Sequence, residues 1–177
     1  MDPVVLFERA ATDAAAMVEQ VGLEQRRAPT PCSEWDVDAL VAHMAEGMTY
    51  LWAALGLVGD GDGGNRDYRA AVARCVEALR APRTLERRCM SPAGFEWSVA
   101  EATAGTAMDQ LVHTWDLAVA IDADRRIDPE LADAVVAMFL PQMPEIGRQA
   151  GIVGPEVEVP ADASAQDRLL GAMGRQP

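Results

Sequence analysis

Lysine is absent from this chain of 177 residues, so all 15 basic residues are arginine, against 28 acidic ones. The formal net charge is −13 and the sequence pI is near 4.4. A field of that sign repels polyanions, and the doublets Arg87-Arg88 and Arg125-Arg126 are too isolated to reverse it locally. Nucleic acid is therefore excluded as an expected partner. No run approaches the roughly 18–20 apolar residues of a membrane span. The opening MDPVVLFERAATD lacks the basic start and apolar block of a signal peptide, so a cytoplasmic protein without a membrane partner is expected. Cysteine is scarce as well: Cys32, Cys75 and Cys89 form no C-x-x-C, and an odd count suits a reducing compartment rather than a disulfide framework. The one glycine-rich stretch, Gly59 to Asn65, follows a helix pattern rather than a strand and carries two acids, so it is no phosphate cradle.

What is present is apolar material in helical order. Hydrophobic residues make up 50% of the chain and charged residues 24%, enough for a core in one domain spanning residues 1–177. Asp2-Pro3 reads as an N-cap and first helical position for a helix through about Gln20, with Gly22 as its stop. Asp36 caps a second helix, about Val37 to Leu57, in which Val37, Leu40, Val41, Met44, Met48, Leu51 and Leu55 recur at helical spacing. A third runs from about Asp67 to Arg80. Pro82, Pro92 and Gly94 make the next stretch irregular, with a short extended piece around Leu85 to Met90. Ser98-x-x-Glu101 is a capping box for a long fourth helix to about Ile121. Asp128-Pro129 opens a fifth through Phe139, ended or kinked at Pro141 and Pro144, and Ser164 to Met173 forms a short terminal helix. The expected class is all-α: a four-helix bundle with long connections and a short C-terminal helix.

Only two histidines occur, His43 and His113, each inside a predicted long helix. His113 follows Asp109 by four residues, so the two side chains share one helix face, and Asp116 extends that face by three. A divalent metal needs a few nitrogen or oxygen ligands converging at about 2 Å. One carboxylate and one imidazole at i, i+4 supply two; a second helix can supply a third and leave positions open. The spacing leaves two readings standing, metal ligands or hydrogen-bonded core histidines, and says nothing of the distance from His43 to His113.

The words around these residues are more specific. TPCSEWDVDALVAHMAEG (30 to 47) and DQLVHTWDLAVA (109 to 120) resemble the two signature stretches of the DinB-like superfamily. The nearer likeness is to the actinobacterial branch related to the N-terminal metal-binding domain of mycothiol-dependent maleylpyruvate isomerase. GPEVEVPADASAQDRLLGAMGR (154 to 175) is similar to the ending of small single-domain members. The resemblance implies a DinB-like four-helix bundle with a divalent metal, zinc before nickel, on His43, Asp109 and His113. At the carboxylate position the isomerase has Glu where this chain has Asp. The isomerase also carries a further domain contributing a catalytic arginine, for which 177 residues leave no room. The implied chemistry is therefore the general one, a metal that activates a thiol such as mycothiol, or water, toward a small electrophilic substrate. Rival expectations are a cyclase or lyase without a thiol cofactor, and a non-catalytic metal-binding or dimerisation module. A homodimer is the expected assembly.

Around the ligands, Asp116 is a candidate to orient an imidazole or to act catalytically, against a cap or ion pair. Glu46 is a candidate proton acceptor, against a solvated helix charge. Gly47 either leaves room for substrate or lets helices approach. Trp35 is read as a hydrophobic staple, Trp115 as core, and Cys32 as a small packed thiol. Met48, Tyr50 and Trp52 are candidates for a pocket mouth.

Overall fold

Local capping chemistry sets most of the helix starts. The computed structural model describes residues 1–33, 35–57 and 68–177. The glycine-rich stretch from Gly59 and the start of the third helix at Asp67 lie outside the described residues. The described chain is mostly helical, with seven α-helices and one two-stranded sheet, and it forms two compact units. None of its helices is long and apolar enough to cross a membrane.

The first unit comprises Met1–Ser91 and Phe95–Arg125. In α1 (Pro3–Val18), the Asp2 carboxylate accepts hydrogen bonds from the backbone N–H of Val4 and Val5 at 2.9 and 3.2 Å. The buried side is broader than a single stripe, taking in Leu6, Phe7, Ala10, Ala11, Ala14 and Ala15, because α1 packs on two partners, α3 (Tyr68–Leu79) and α4 (Val99–Ile121). Gly22 is not what stops α1. The helix ends at Val18 with Glu19 as its cap, and Gly22 instead opens a short 3-10 turn over Leu23–Gln25. The Gln25 amide reaches across to the Ile121 carbonyl at 3.1 Å, satisfying an acceptor at the end of α4.

Helix α2 (Val37–Leu55) begins where Asp36 accepts from the Ala39 N–H at 3.0 Å. It ends at Gly56, whose φ of 67° is the left-handed cap that glycine adopts at little cost. The Arg87 guanidinium donates to the Leu55 carbonyl at 3.0 Å there. Val37, Leu40, Met44, Met48, Leu51 and Leu55 are buried, as their spacing predicts. Helix α4 begins at the predicted capping box: Ser98 Oγ accepts from the Glu101 N–H at 3.1 Å and Glu101 returns the bond to the Ser98 N–H at 2.6 Å. Before it, β1 (Arg88–Met90) pairs antiparallel with β2 (Glu96–Ser98), Cys89 opposite Trp97. Of the extended piece expected around Leu85 to Met90, Arg88–Met90 is β1, while Thr84–Glu86 forms a 3-10 turn.

Helices α1 and α2 both pack on α4, and α3 packs on α1 and α2. Ala14 and Met17 of α1, Val37, Leu40 and Met44 of α2, and Leu117, Ala118 and Ile121 of α4 form one apolar cluster. Each fully buried Leu or Met there contributes about 1.5–3 kcal/mol. This cluster clamps the two histidine-bearing helices together. It also buries most of α4, so polar side chains on that helix need partners within the protein. Thr103 and Thr106 find them in the carbonyls of Val99 and Ala102, at 2.7 and 3.0 Å.

The second unit, Pro92–Gly94 and Arg126–Pro177, holds α5 (Pro129–Phe139), α6 (Met143–Gln149) and α7 (Ala165–Ala172). Asp128 caps α5 as predicted, and Ser164, expected as the first residue of the terminal helix, caps α7. Pro144 ends nothing: it sits in the first turn of α6, where a missing N–H breaks no intrahelical bond. Helices α5 and α7 pack together, and the Val157 N–H bonds to the Gly171 carbonyl at 2.9 Å.

Candidate metal centre

The α2–α4 seam brings both histidines together. Nε2 of His43, on α2, lies 3.6 Å from Oδ1 of Asp109, and Nε2 of His113 lies 3.4 Å from the same oxygen. The two imidazole rings meet edge to face with centroids 4.8 Å apart. One ligating atom from each of the three residues lies within 4.8 Å of the others. Donors held 2.0–2.2 Å from a tetrahedral ion stand roughly 3.3–3.6 Å apart, so both measured separations match ligand edges. The donor set, two nitrogens and one carboxylate oxygen, suits zinc or another borderline divalent metal. The side chains of His43 and Asp109 are each 32% exposed and that of His113 is 9% exposed. The cluster therefore rests on the core through His113 and opens to solvent on the His43–Asp109 side.

Electrostatics inside the cluster are strongly coupled. Burial works to lower the basicity of His113, but the charge of Asp109 and hydrogen bonds from Asp109, Asp116 and Cys32 outweigh it and raise its pKa well above the usual 6.5. For Asp109, burial pushes up and the two imidazoles pull down harder, so its carboxyl sits below the usual carboxylate range.

Asp116, fully buried, completes the support. Its Oδ2 lies 2.9 Å from Nδ1 of His113, which places the ring proton on Nδ1 and turns the Nε2 lone pair toward Asp109 and His43 when the imidazole is neutral. The same oxygen accepts from the Cys32 thiol at 3.3 Å. Cys32, His113 and Asp116 form a second group of convergent ligating atoms, but it shares His113 with the first.

A family model for the mycothiol maleylpyruvate isomerase N-terminal domain matches residues 7–86. Two uncharacterized proteins of Mycobacterium tuberculosis, from strains H37Rv and CDC 1551, are each 31% identical over 183 residues, covering 99% of this chain and 98% of theirs. The chain belongs to the mycothiol maleylpyruvate isomerase N-terminal domain family. No solved structure matches it. The segment matched by the family model takes in His43, whereas Asp109 and His113 lie beyond it, in the part that the mycobacterial relatives also cover.

Other residues singled out by sequence fall as follows. Glu46 is exposed on α2 and is not among the convergent ligating groups. Trp115 is core. Trp35 packs against the apolar cluster, as a staple would, but its ring also lies 4.4 Å from that of His43 and 5.7 Å from that of His113. Met48 is buried in the core. Tyr50 accepts a hydrogen bond from the Trp97 indole at 2.8 Å and donates to the Met90 carbonyl at 3.0 Å, and Trp52 lies under the Arg74 guanidinium. Gly47 faces Asp109 and Gln110 of α4 closely.

Two participants escaped sequence reasoning. Cys32 lies 84 residues from Asp116, and nothing in its own neighbourhood signals a carboxylate partner. Gln110, fully buried, donates to the Met44 carbonyl at 3.1 Å and accepts from the Tyr68 hydroxyl. A glutamine directly beside Asp109, between Ala107 and Leu111 of the apolar pattern, was the available signal.

Proposed function

We propose that this chain is a metal-dependent enzyme of the thiol-using transferase or isomerase type, with a divalent metal held by His43, Asp109 and His113. The observation that carries the reading is the convergence of two imidazole nitrogens on one Asp109 oxygen at ligand-edge spacing, on the solvent side of the seam. Membership of a family named for a mycothiol-dependent isomerase supports a low-molecular-weight thiol, mycothiol, as the co-substrate. In this reading α1 to α4 act as a DinB-like four-helix bundle whose α2–α4 seam is the active site.

A metal bound there supplies a Lewis acid that lowers the pKa of a thiol or water brought to it. The chain does the rest. His113 and His43 present neutral nitrogens, and the Asp109 charge offsets part of the cation's. Asp116 fixes the His113 tautomer through its Nδ1 proton. Three protein ligands leave coordination positions free for substrate, the pattern of catalytic rather than structural zinc. Trp35 walls the imidazoles on one side. Glu46 has no part in this reading.

The test is a cobalt-substituted protein. Adding mycothiol or another small thiol should perturb the visible bands, because sulfur enters the coordination sphere. A spectrum indifferent to every thiol tried would end the thiol reading and leave the cyclase or lyase without a thiol cofactor and the non-catalytic metal-binding module.

A further inference from the structure

Gly47 stands in the middle of α2, one turn after His43, where glycine costs about 1 kcal/mol relative to alanine. A Cβ built on it would lie 3.3 Å from Nε2 of Gln110 and 3.4 Å from Oδ2 of Asp109. The oxygen near Gly47 is Oδ2, whereas the contacts to both histidines run through Oδ1 of the same carboxylate. The Gln110 amide beside it is already committed to the Met44 carbonyl on α2. The Asp109 side chain therefore has α2 backbone on one side and two imidazoles on the other. A side chain at residue 47 would crowd the Gln110 amide and reach the Asp109 carboxylate.

We infer that Gly47 is a positioning residue for the metal centre: its missing Cβ sets where the Asp109 carboxylate rests, and so where Oδ1 meets His43 and His113. The inference builds on the metal reading above. A methyl group at 47 would press the Gln110 amide by a few tenths of an ångström and bring Asp109 Oδ2 to the edge of ordinary van der Waals contact, and a bulkier group would push the carboxylate from its place between the imidazoles. Asp has only a short arm with which to yield. A glycine serving only to bring two helices together would give a different result, because its replacement would loosen the seam as a whole without singling out the carboxylate.

The experiment is a competition titration with Zn²⁺ and a chromophoric chelator on the full chain. It compares wild type, Gly47→Ala and Gly47→Val, each alone and combined with Asp109→Asn, with a thermal melt of every metal-free protein. Affinity should fall about threefold or more in Gly47→Ala and about ten- to a hundredfold in Gly47→Val, the range seen when ligand support is removed. In the Asp109→Asn background the Gly47→Val loss should shrink below about threefold, because both changes act through one carboxylate. Wild-type affinity in a folded Gly47→Val protein, or an undiminished loss in the Asp109→Asn background, would overturn the inference. If Gly47→Val does not fold, Gly47→Ala decides by the same comparison. A wild type that takes up no Zn²⁺ overturns the metal reading, and this inference with it; metal uptake that ignores residue 47 overturns this inference alone.

Discussion

Asp116 Oδ2 lies 2.9 Å from His113 Nδ1, with the carboxylate fully buried. A buried carboxylate is expensive without partners, and here the His113 ring and the Cys32 thiol provide them. The pairing fixes the orientation of the His113 ring.

Asp116→Asn is expected to lower metal affinity by about ten- to a hundredfold while leaving a helical circular dichroism spectrum, because the amide no longer favours the Nδ1–H tautomer. A metal titration of the purified variant checks this. Unchanged affinity would make Asp116 a packing residue only.

Loss of either imidazole, in His43→Ala or His113→Ala, should abolish stoichiometric divalent-metal binding in a folded protein. Asp109→Asn keeps size but removes charge and should weaken binding by at least tenfold, about 1.4 kcal/mol. Asp109→Glu should retain it. Equal metal content in wild type and the two alanine variants would refute the assignment.

Protons and metal compete for His113, and the signs differ with and without metal. Its pKa is raised in the fold, so in the metal-free protein its contribution to stability is full below about pH 6.5 and is lost as pH climbs through the raised value. Metal must displace that proton, so affinity, and the stability that binding adds, should rise over the same interval. Melting curves across that interval, with and without Zn²⁺, should therefore diverge. Parallel curves would argue against His113 as a ligand.

Cys32→Ala removes one donor to the buried Asp116 carboxylate. The expected cost is about 0.5–1.5 kcal/mol of stability, as for one lost hydrogen bond with the His113 ring still in place, and Cys32→Ser should be milder because a hydroxyl also donates. Urea unfolding of both variants measures the difference, and equal stabilities of all three proteins would show that the Cys32–Asp116 bond carries no weight.

Ser98→Ala breaks the capping box that starts the helix bearing Asp109 and His113. It should cost about 1 kcal/mol, or roughly 2–4 °C in melting temperature. Metal affinity should hardly change, since the site lies more than two turns along α4. A large loss of affinity would mean that the start of α4 sets the site's geometry.

The readable parts of this protein were those governed by neighbours in the chain. Asp36, Ser98 with Glu101, Asp128 and Ser164 cap helices through bonds spanning two or three residues, so their positions follow from sequence. The common face of Asp109, His113 and Asp116 follows from 3.6 residues per turn. Local rules misplaced Gly22 and Pro144, because what fills the end of α1 and the start of α6 depends on bonds that the residue types alone leave open. The distance from His43 to Asp109 belonged to tertiary structure entirely. It is set by the apolar cluster of Leu40, Met44, Leu117 and their neighbours, which clamps α2 to α4, and by the space that Gly47 leaves between them. Sequence by itself determined which side chains carry ligand chemistry and which helix faces they share. Packing decided that they meet, because non-directional burial of apolar surface, rather than any local spacing, brings residues of separate helices into contact.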